Sequence, residues 1–266
     1  MKIIDTHAHL NDEAYDEDLT VLLDRAKERG LSKIILAAAD EKSSIEEMRI
    51  TKQYTSPELE LFCTVGVHPH DAVSYTDELH EKLRSWLKNR TENRIVALGE
   101  IGLDYHYDNS PREIQKQVFR RQLDLAWEED IPIILHERDA AFDSLTILED
   151  YWKRKALREC PGVCHCFTGS EETAQRLLNM GFYLGFDGPL TFKNSRKSPD
   201  VVKMAPLSRL LIETDSPYLT PVPFRGKRNE PAYVYYVLEK MASLKEVSVE
   251  KMAEITMENA CRLFGI

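Results

Sequence analysis

His7 and His9 stand one residue apart at the end of the apolar run Ile3-Ile4-Asp5-Thr6. Successive side chains of an extended segment point to opposite faces, so the two imidazoles share one face and can close on a single cation. Two neutral imidazoles make half of a metal site. Donors of the same kind recur in equivalent places: His68 after Leu61–Val67, Glu100 after Ile95–Gly99, His136 after Ile131–Leu135, His165 after Gly162–Cys164, and Asp215 after Leu210–Ile212. A single histidine is more often a core or surface imidazole. Four of them (His7, His9, His136 and His165) with two carboxylates, all repeating at the ends of apolar runs, point to a divalent-metal centre. Their spread along the chain excludes a local zinc finger. Cys164 and Cys166 flank His165, but alternation turns both sulfurs to the opposite face, so thiolate ligation is not expected. His80 and His106 fall off the pattern and read as surface residues; His70 either serves the site or, the preferred reading, is a solvent-facing loop residue.

The chemistry that such a donor set supports is hydrolysis. A divalent cation lowers the pKa of water from 15.7 toward about 7, and no redox ligand set is needed. Asp215 is placed both to ligate and to accept a proton. Glu213, two residues earlier and so on the same strand face, either orients a ligating histidine or fills an interior layer.

These donors need a scaffold that brings many strand ends to one place. Leu19, Leu22, Leu23 and Ala26 predict a helix near Asp16–Arg29, stopped by Gly30. Ile34–Ala38 reads as a second strand, followed by a helix from Ser43 to Tyr54. Leu61–Val67 is a third strand, and Leu79, Leu83, Trp86 and Leu87 mark the next helix. Ile95–Gly99 is a fourth, and Ser110-Pro111-Arg112-Glu113 announces a helix with a capping box. Ile131–Leu135, Gly162–Cys164, Tyr183–Phe186 and Leu210–Ile212 complete eight strands, with a helix over Glu171–Met180 and two amphipathic helices at Pro231–Met241 and Ser248–Phe264. Eight short apolar runs between helical patterns predict a TIM (β/α)8 barrel with additional C-terminal helices, forming a single domain over residues 1–266. In that fold the C-terminal strand ends share one mouth. An open doubly wound sheet is disfavoured: no Gly-x-Gly-x-x-Gly turn follows the first strand and no Walker-type loop exists, so no organic cofactor is expected.

Composition bounds the partners. With 42% hydrophobic and 30% charged residues the chain reads as an ordinary globular protein. A net charge of −10 argues against gripping nucleic acid with the whole surface. Between Lys193 and Arg228, however, eight basic residues face three acidic ones, a local excess of 8 − 3 = +5. The Lys193–Lys203 part reads as a solvated face. The start of the chain has no apolar signal core, and no apolar run nears the roughly 18 residues that span a bilayer, so a cytoplasmic location without membrane contact is expected. Five scattered cysteines, mostly inside apolar runs, suit buried thiols in a reducing compartment better than a disulfide framework.

Several blocks carry a resemblance: Asp5-Thr6-His7-Ala8-His9, Gly66-Val67-His68-Pro69-His70, Gly99-Glu100-Ile101-Gly102-Leu103-Asp104-Tyr105, His136-Glu137-Arg138-Asp139-Ala140, His165-Cys166-Phe167-Thr168-Gly169 and Glu213-Thr214-Asp215-Ser216-Pro217-Tyr218-Leu219. In type and order they resemble the signature blocks of the TatD family of metal-dependent deoxyribonucleases, and Arg225–Pro231 resembles a further block. The resemblance spans nearly the whole chain. It implies a barrel of the amidohydrolase superfamily that hydrolyses phosphodiesters from DNA ends, single strands preferred, with RNA as the other polymer to consider. It also implies two divalent metals (Mg, Mn or Zn): His7, His9 and Asp215 on one, His136 and His165 on the second, Glu100 bridging. The fourth block has His136-Glu137-Arg138 where His-Ser-Arg is commoner, a change that would tune the site. In this picture His68 hydrogen-bonds a phosphate oxygen or the leaving group. Arg138, Arg225, Lys227 and Arg228 are candidates for flanking phosphates, because guanidinium groups meet phosphate bidentately. Tyr105, Phe167, Tyr218 and Phe224 are candidate stacking faces. The rival is an amidase, lactonase or deacylase on the same scaffold, including one acting on an aminoacyl-tRNA ester, since fold does not fix substrate. A metal-binding interaction protein without turnover is the least favoured reading, because no expected donor is missing.

Overall fold

The computed structural model describes residues 1–266. Its strands are β1 (Ile3–Ala8), β2 (Leu31–Leu36), β3 (Glu60–Val65), β4 (Ile95–Asp104), β5 (Ile133–Arg138), β6 (Gly162–Cys164), β7 (Tyr183–Phe186) and β8 (Leu210–Ile212). Each pairs in parallel with the next in chain order. A bridge between Ala8 and Ser216, reinforced by the Asp5 carboxylate on the backbone N–H and hydroxyl of Thr214, brings β8 round to β1. Between the strands lie α1 (Leu19–Glu28), α2 (Glu41–Tyr54), α3 (Asp77–Lys88), α4 (Arg90–Asn93), α5 (Arg112–Glu128), α6 (Ala141–Lys153), α7 (Glu171–Asn179) and α8 (Lys197–Met204); α9 (Val234–Lys245) and α10 (Val249–Phe264) follow the last strand. The architecture is a TIM barrel.

Two apolar clusters account for it. The larger lies between the strands and the outer helices, where Leu79, Leu83 and Leu87 present one face of α3. The smaller fills the inside of the barrel: Ile4, Ile35, Ala97, Ile134, Val163, Tyr183 and Leu211 meet Ala260, Leu263 and Phe264 of α10. The last helix therefore plugs the floor, and only the C-terminal mouth stays open. No helix is long and apolar enough to cross a membrane.

The structure departs from the local reading in places that matter for the site. β4 does not stop at Gly99 but runs on through Glu100 to Asp104, pairing Gly102 with His136 and Asp104 with Arg138. Gly102 makes this possible: at φ +144° a Cβ would stand 2.0 Å from the His136 carbonyl oxygen. Glu100 is thus an in-strand residue beside a register irregularity. The capping box at Ser110 does not form. α5 starts after Pro111 without a side-chain cap, and the Ser110 hydroxyl donates instead to the His70 carbonyl, 2.7 Å away. Three helices, α4, α6 and α8, lie where no helix was marked.

Candidate metal centre

At the barrel mouth four donor atoms from three strands face one another. His7 Nε2 lies 3.3 Å from His9 Nε2, 3.4 Å from Glu100 Oε1 and 3.5 Å from Asp215 Oδ1. His9 Nε2 lies 3.2 Å from Asp215 Oδ1 and 3.5 Å from Glu100 Oε1. His9 Nδ1 sits 2.8 Å from the Ala37 carbonyl, which holds the proton there and leaves Nε2 with its lone pair when the ring is neutral. Four lone-pair atoms at these separations repel unless positive charge lies between them. Ligands 2.0–2.1 Å from a tetrahedral cation stand roughly 3.3–3.4 Å apart, so the donors fit a divalent ion in both type and spacing.

Glu100 carries the arrangement across to a second group. Its other oxygen, Oε2, lies 2.8 Å from His165 Nε2 and 3.4 Å from His136 Nδ1, and those two nitrogens are 3.1 Å apart. His136 Nε2 donates to Asp104 Oδ2 at 3.2 Å, so its Nδ1 lone pair is the one turned to Glu100. His7 and His165 stack in parallel, ring centroids 4.2 Å apart, which ties the two groups of donors together. His68, with Glu100 and His136, forms a further cluster of compatible spacing. Its Nδ1 accepts the His70 backbone N–H, leaving an Nε2–H free to donate. No thiol joins any of these clusters.

The charges respond as crowded carboxylates require. Burial opposes charge on His9, but the hydrogen bond to Asp215 and the field of Glu100 outweigh it and push the imidazole up to about 9. His136 is likewise pushed up to about 9, burial being outweighed by Asp104 and Glu100. His7 falls to about 4, mainly through burial and then the neighbouring His165. Glu100 is held well below the usual carboxylate range despite burial, by the imidazoles of His165 and His7. His68 is held neutral by burial and by His136.

Supporting residues absent from the sequence reading do much of the positioning. Asp104, fully buried at the end of β4, accepts from His136 and, at 2.9 Å, from His70, while its other oxygen takes the backbone N–H groups of His106 and Tyr107. Of the two readings of His70, the structure therefore favours the one that makes it part of the mouth over a free loop residue. Asp5 accepts from the backbone of His7 and of Thr214 and so sets the first histidine against Asp215. Period-two alternation places Asp5 on the His7 face, and that was the available signal. Of the two readings of Glu213, direct orientation of a histidine is not met, since His165 Nδ1 is 3.9 Å away; its full burial agrees with the interior-layer reading. Its carboxylate accepts from the Cys166 backbone at 2.5 Å, acting on the chain next to His165. Burial and the nearby Asp187 push Glu213 well above its ordinary value. Gly185 leaves it room, since a Cβ there would stand 2.3 Å from Oε2.

The mouth opens into a cleft of about 660 Å³ in which Arg138 is the one Lys or Arg side chain. Its guanidinium lies 4.9 Å from the centroid of Tyr107, a half-exposed ring that lines the cleft, as does Tyr218. Arg225, Lys227 and Arg228 do not line the cleft. Arg228 is bound to Asp18 by two parallel hydrogen bonds of 2.9 and 2.6 Å, and Arg225 lies over Phe192. Of the aromatic rings proposed for stacking, Tyr105 donates to Asp143, Phe167 is buried and Phe224 stacks on Tyr233; Tyr218 alone lies in the cleft.

Comparison with known proteins agrees with this mouth. The family model described as TatD related DNase matches residues 4–265. YabD of Bacillus subtilis (strain 168), an uncharacterised metal-dependent hydrolase, is 48% identical over 265 residues, 99% of each chain. The 3'-5' ssDNA/RNA exonuclease TatD of Rahnella sp. (strain Y9602) is 31% identical over 268 residues, 97% of this chain and 96% of that one. The crystal structure of YjjV, a TatD homologue from Escherichia coli K12, superposes with a TM-score of 0.90 at 30% identity, covering 99% of this chain and 98% of that one. A barrel mouth built from histidines and carboxylates, and kinship of this extent, assign the chain to the TatD family of metal-dependent hydrolases.

Proposed function

We propose that the chain hydrolyses phosphodiester bonds at the ends of single-stranded DNA with two divalent cations, His7, His9 and Asp215 holding one, His136 and His165 the other, and Glu100 both. The observation that carries this reading is the split of Glu100 between two donor groups, Oε1 with the first and Oε2 with the second. Bound there, divalent cations would acidify water and neutralise charge on the leaving oxygen.

The chain's own groups do the rest. Asp215, held below the usual carboxylate range because the hydrogen bond from His9 and the fields of His7, His9 and His165 together outweigh its burial, stays ionised and accepts the proton of the attacking water. His68 donates its Nε2–H to a phosphoryl oxygen or the leaving group. Arg138 meets a flanking phosphate. Tyr107 and Tyr218 offer exposed ring faces to the adjacent bases. The chain's net charge of −10 suits a single strand entering one mouth better than a duplex wrapped on the surface. RNA shares the chemistry these groups recognise, and the Rahnella relative is named for both polymers. Five unpaired cysteines fit a cytoplasmic setting. The floor plug formed by α10 fits a single domain over residues 1–266.

The test strips the protein with chelator and adds back Mg²⁺, Mn²⁺ or Zn²⁺ singly. End-labelled single-stranded DNA and RNA are offered beside a panel of amides, lactones and aminoacyl esters. Laddering from one end that disappears in Glu100→Gln is the expected result. Ester or amide cleavage with intact oligonucleotides would overturn the proposal in favour of a deacylase or lactonase.

A further inference from the structure

A second cavity lies at the opposite end of the barrel from the metal centre, between the floor plug α10 and the N-terminal ends of β4 and β5. It measures about 480 Å³, within the roughly 300–1,000 Å³ of small-molecule sites. Arg90 at the start of α4, Arg94 directly after it, Arg158 in the loop after α6 and Arg262 of α10 line it, and Asp130 is the only acidic side chain among the lining residues, so the side-chain balance is 4 − 1 = +3. Such a concentration is unexpected in a chain of net charge −10. Apolar residues of the floor, among them Val96 and Leu263, form the rest of the wall.

The guanidinium groups are held in place without being used up. Arg90 donates to the Glu129 carbonyl at 2.8 Å, Arg94 Nε to the Leu61 carbonyl at 2.7 Å, and Arg158 Nε to Asp130 at 2.7 Å. Arg94 Nη2 and Arg158 Nη1 are buried and have no hydrogen-bond partner; the acid nearest Arg94 Nη2, Glu60, is 3.7 Å away. Each of these two guanidinium groups therefore keeps one donor that no protein acceptor fills, although the two atoms are themselves closed to solvent. Backbone conformation adds a second sign. Arg94 at φ +56° and Asp130 at φ +45° adopt the left-handed region, which glycine enters without steric cost, yet both positions carry the side chains that line the cavity.

We propose that this floor cavity is a binding site for a small phosphorylated anion, with its phosphate on the guanidinium forks of Arg94, Arg158 and Arg262 and its apolar body against Val96 and Leu263. A balance of +3 suits the two or more charges of a phosphate ester or a pyrophosphate, and guanidinium matches phosphate geometry bidentately. The site is independent of the reaction assigned to the mouth.

Calorimetric titration of the chelator-treated full chain at low ionic strength tests it, with inorganic phosphate, pyrophosphate and adenosine 5'-monophosphate as probes. The expected result is saturable one-to-one binding of pyrophosphate or the nucleotide with a Kd of about 1 mM or tighter. That binding should be unchanged in His7→Ala and weakened at least about tenfold in Arg158→Gln/Arg262→Gln. Circular dichroism checks the fold of the double variant; should it unfold, the solvent-exposed Arg262→Gln alone carries the same expectation. A stronger response to the nucleotide than to inorganic phosphate would add the apolar contact. Three results would overturn the proposal: no saturation with any probe, heats reproduced by chloride at equal ionic strength, or binding lost in His7→Ala but kept in the arginine variants.

Discussion

Asp104→Asn tests whether a residue that touches no cation in the proposed site nevertheless sets its affinity. Four donors converge on this carboxylate: the imidazoles of His70 and His136 on Oδ2, the backbone N–H groups of His106 and Tyr107 on Oδ1. Asparagine offers one oxygen and one NH₂, so at least two of the four donors lose their acceptor. If the oxygen keeps the backbone pair, His136 faces an NH₂ donor and must move its proton to Nδ1, the nitrogen 3.4 Å from Glu100. The lone pair needed for a metal is then gone. Loss of such a supporting carboxylate lowers metal affinity by about 10- to 100-fold, or about 1.4–2.7 kcal/mol. Competition titration against a chromophoric chelator measures it, and thermal unfolding of both proteins controls for global damage. Saturating metal should restore most of the hydrolytic rate, because the lesion is in the ligand's tautomer and not in the reacting groups. A folded variant whose metal affinity stays within about twofold of the parent would refute the reasoning.

Further outcomes follow from the same geometry. Because His9 and His136 are both pushed up from 6.5 to about 9, each stabilises the metal-free fold fully below pH 6.5 and loses that contribution as pH rises through 9. The metal-free Tm should fall across this window, and added divalent cation should restore more at its alkaline end; a flat metal-free profile contradicts the protonation pattern. Tyr107→Ala and Tyr218→Ala should each raise KM for single-stranded DNA by about 5- to 150-fold, the equivalent of about 1–3 kcal/mol of base stacking, with hydrolysis of a small chromogenic phosphodiester unchanged. Equal losses on both substrates would remove the stacking role. Gly102→Ala should destabilise the fold by about 3 kcal/mol or more in urea unfolding, since its Cβ would meet the His136 carbonyl at 2.0 Å and the backbone there is left-handed. Parent-like stability would contradict the extension of β4 alongside β5.

What the sequence determined by itself is what local periodicity encodes. Apolar runs on strands buried on both faces repeat eight times, and a parallel barrel sends their C-terminal ends to one mouth. His7, His9, His136, His165 and Asp215 were legible there because a polar residue closing an apolar run is a local pattern. What only the tertiary structure decided is which groups pair. Asp104 could not be read as the partner of His136, because that contact depends on β4 running past Glu100, and β4 does so only where Gly102 lets the neighbouring strand approach. Arg228 read as a phosphate ligand because its acid, Asp18, lies 210 positions away in the chain. The two faces of Glu100 and the arginines gathered under α10 have the same origin. Strand and helix patterns arise between neighbours in sequence, whereas electrostatic partnership depends on through-space distance, which exists only once the barrel has closed.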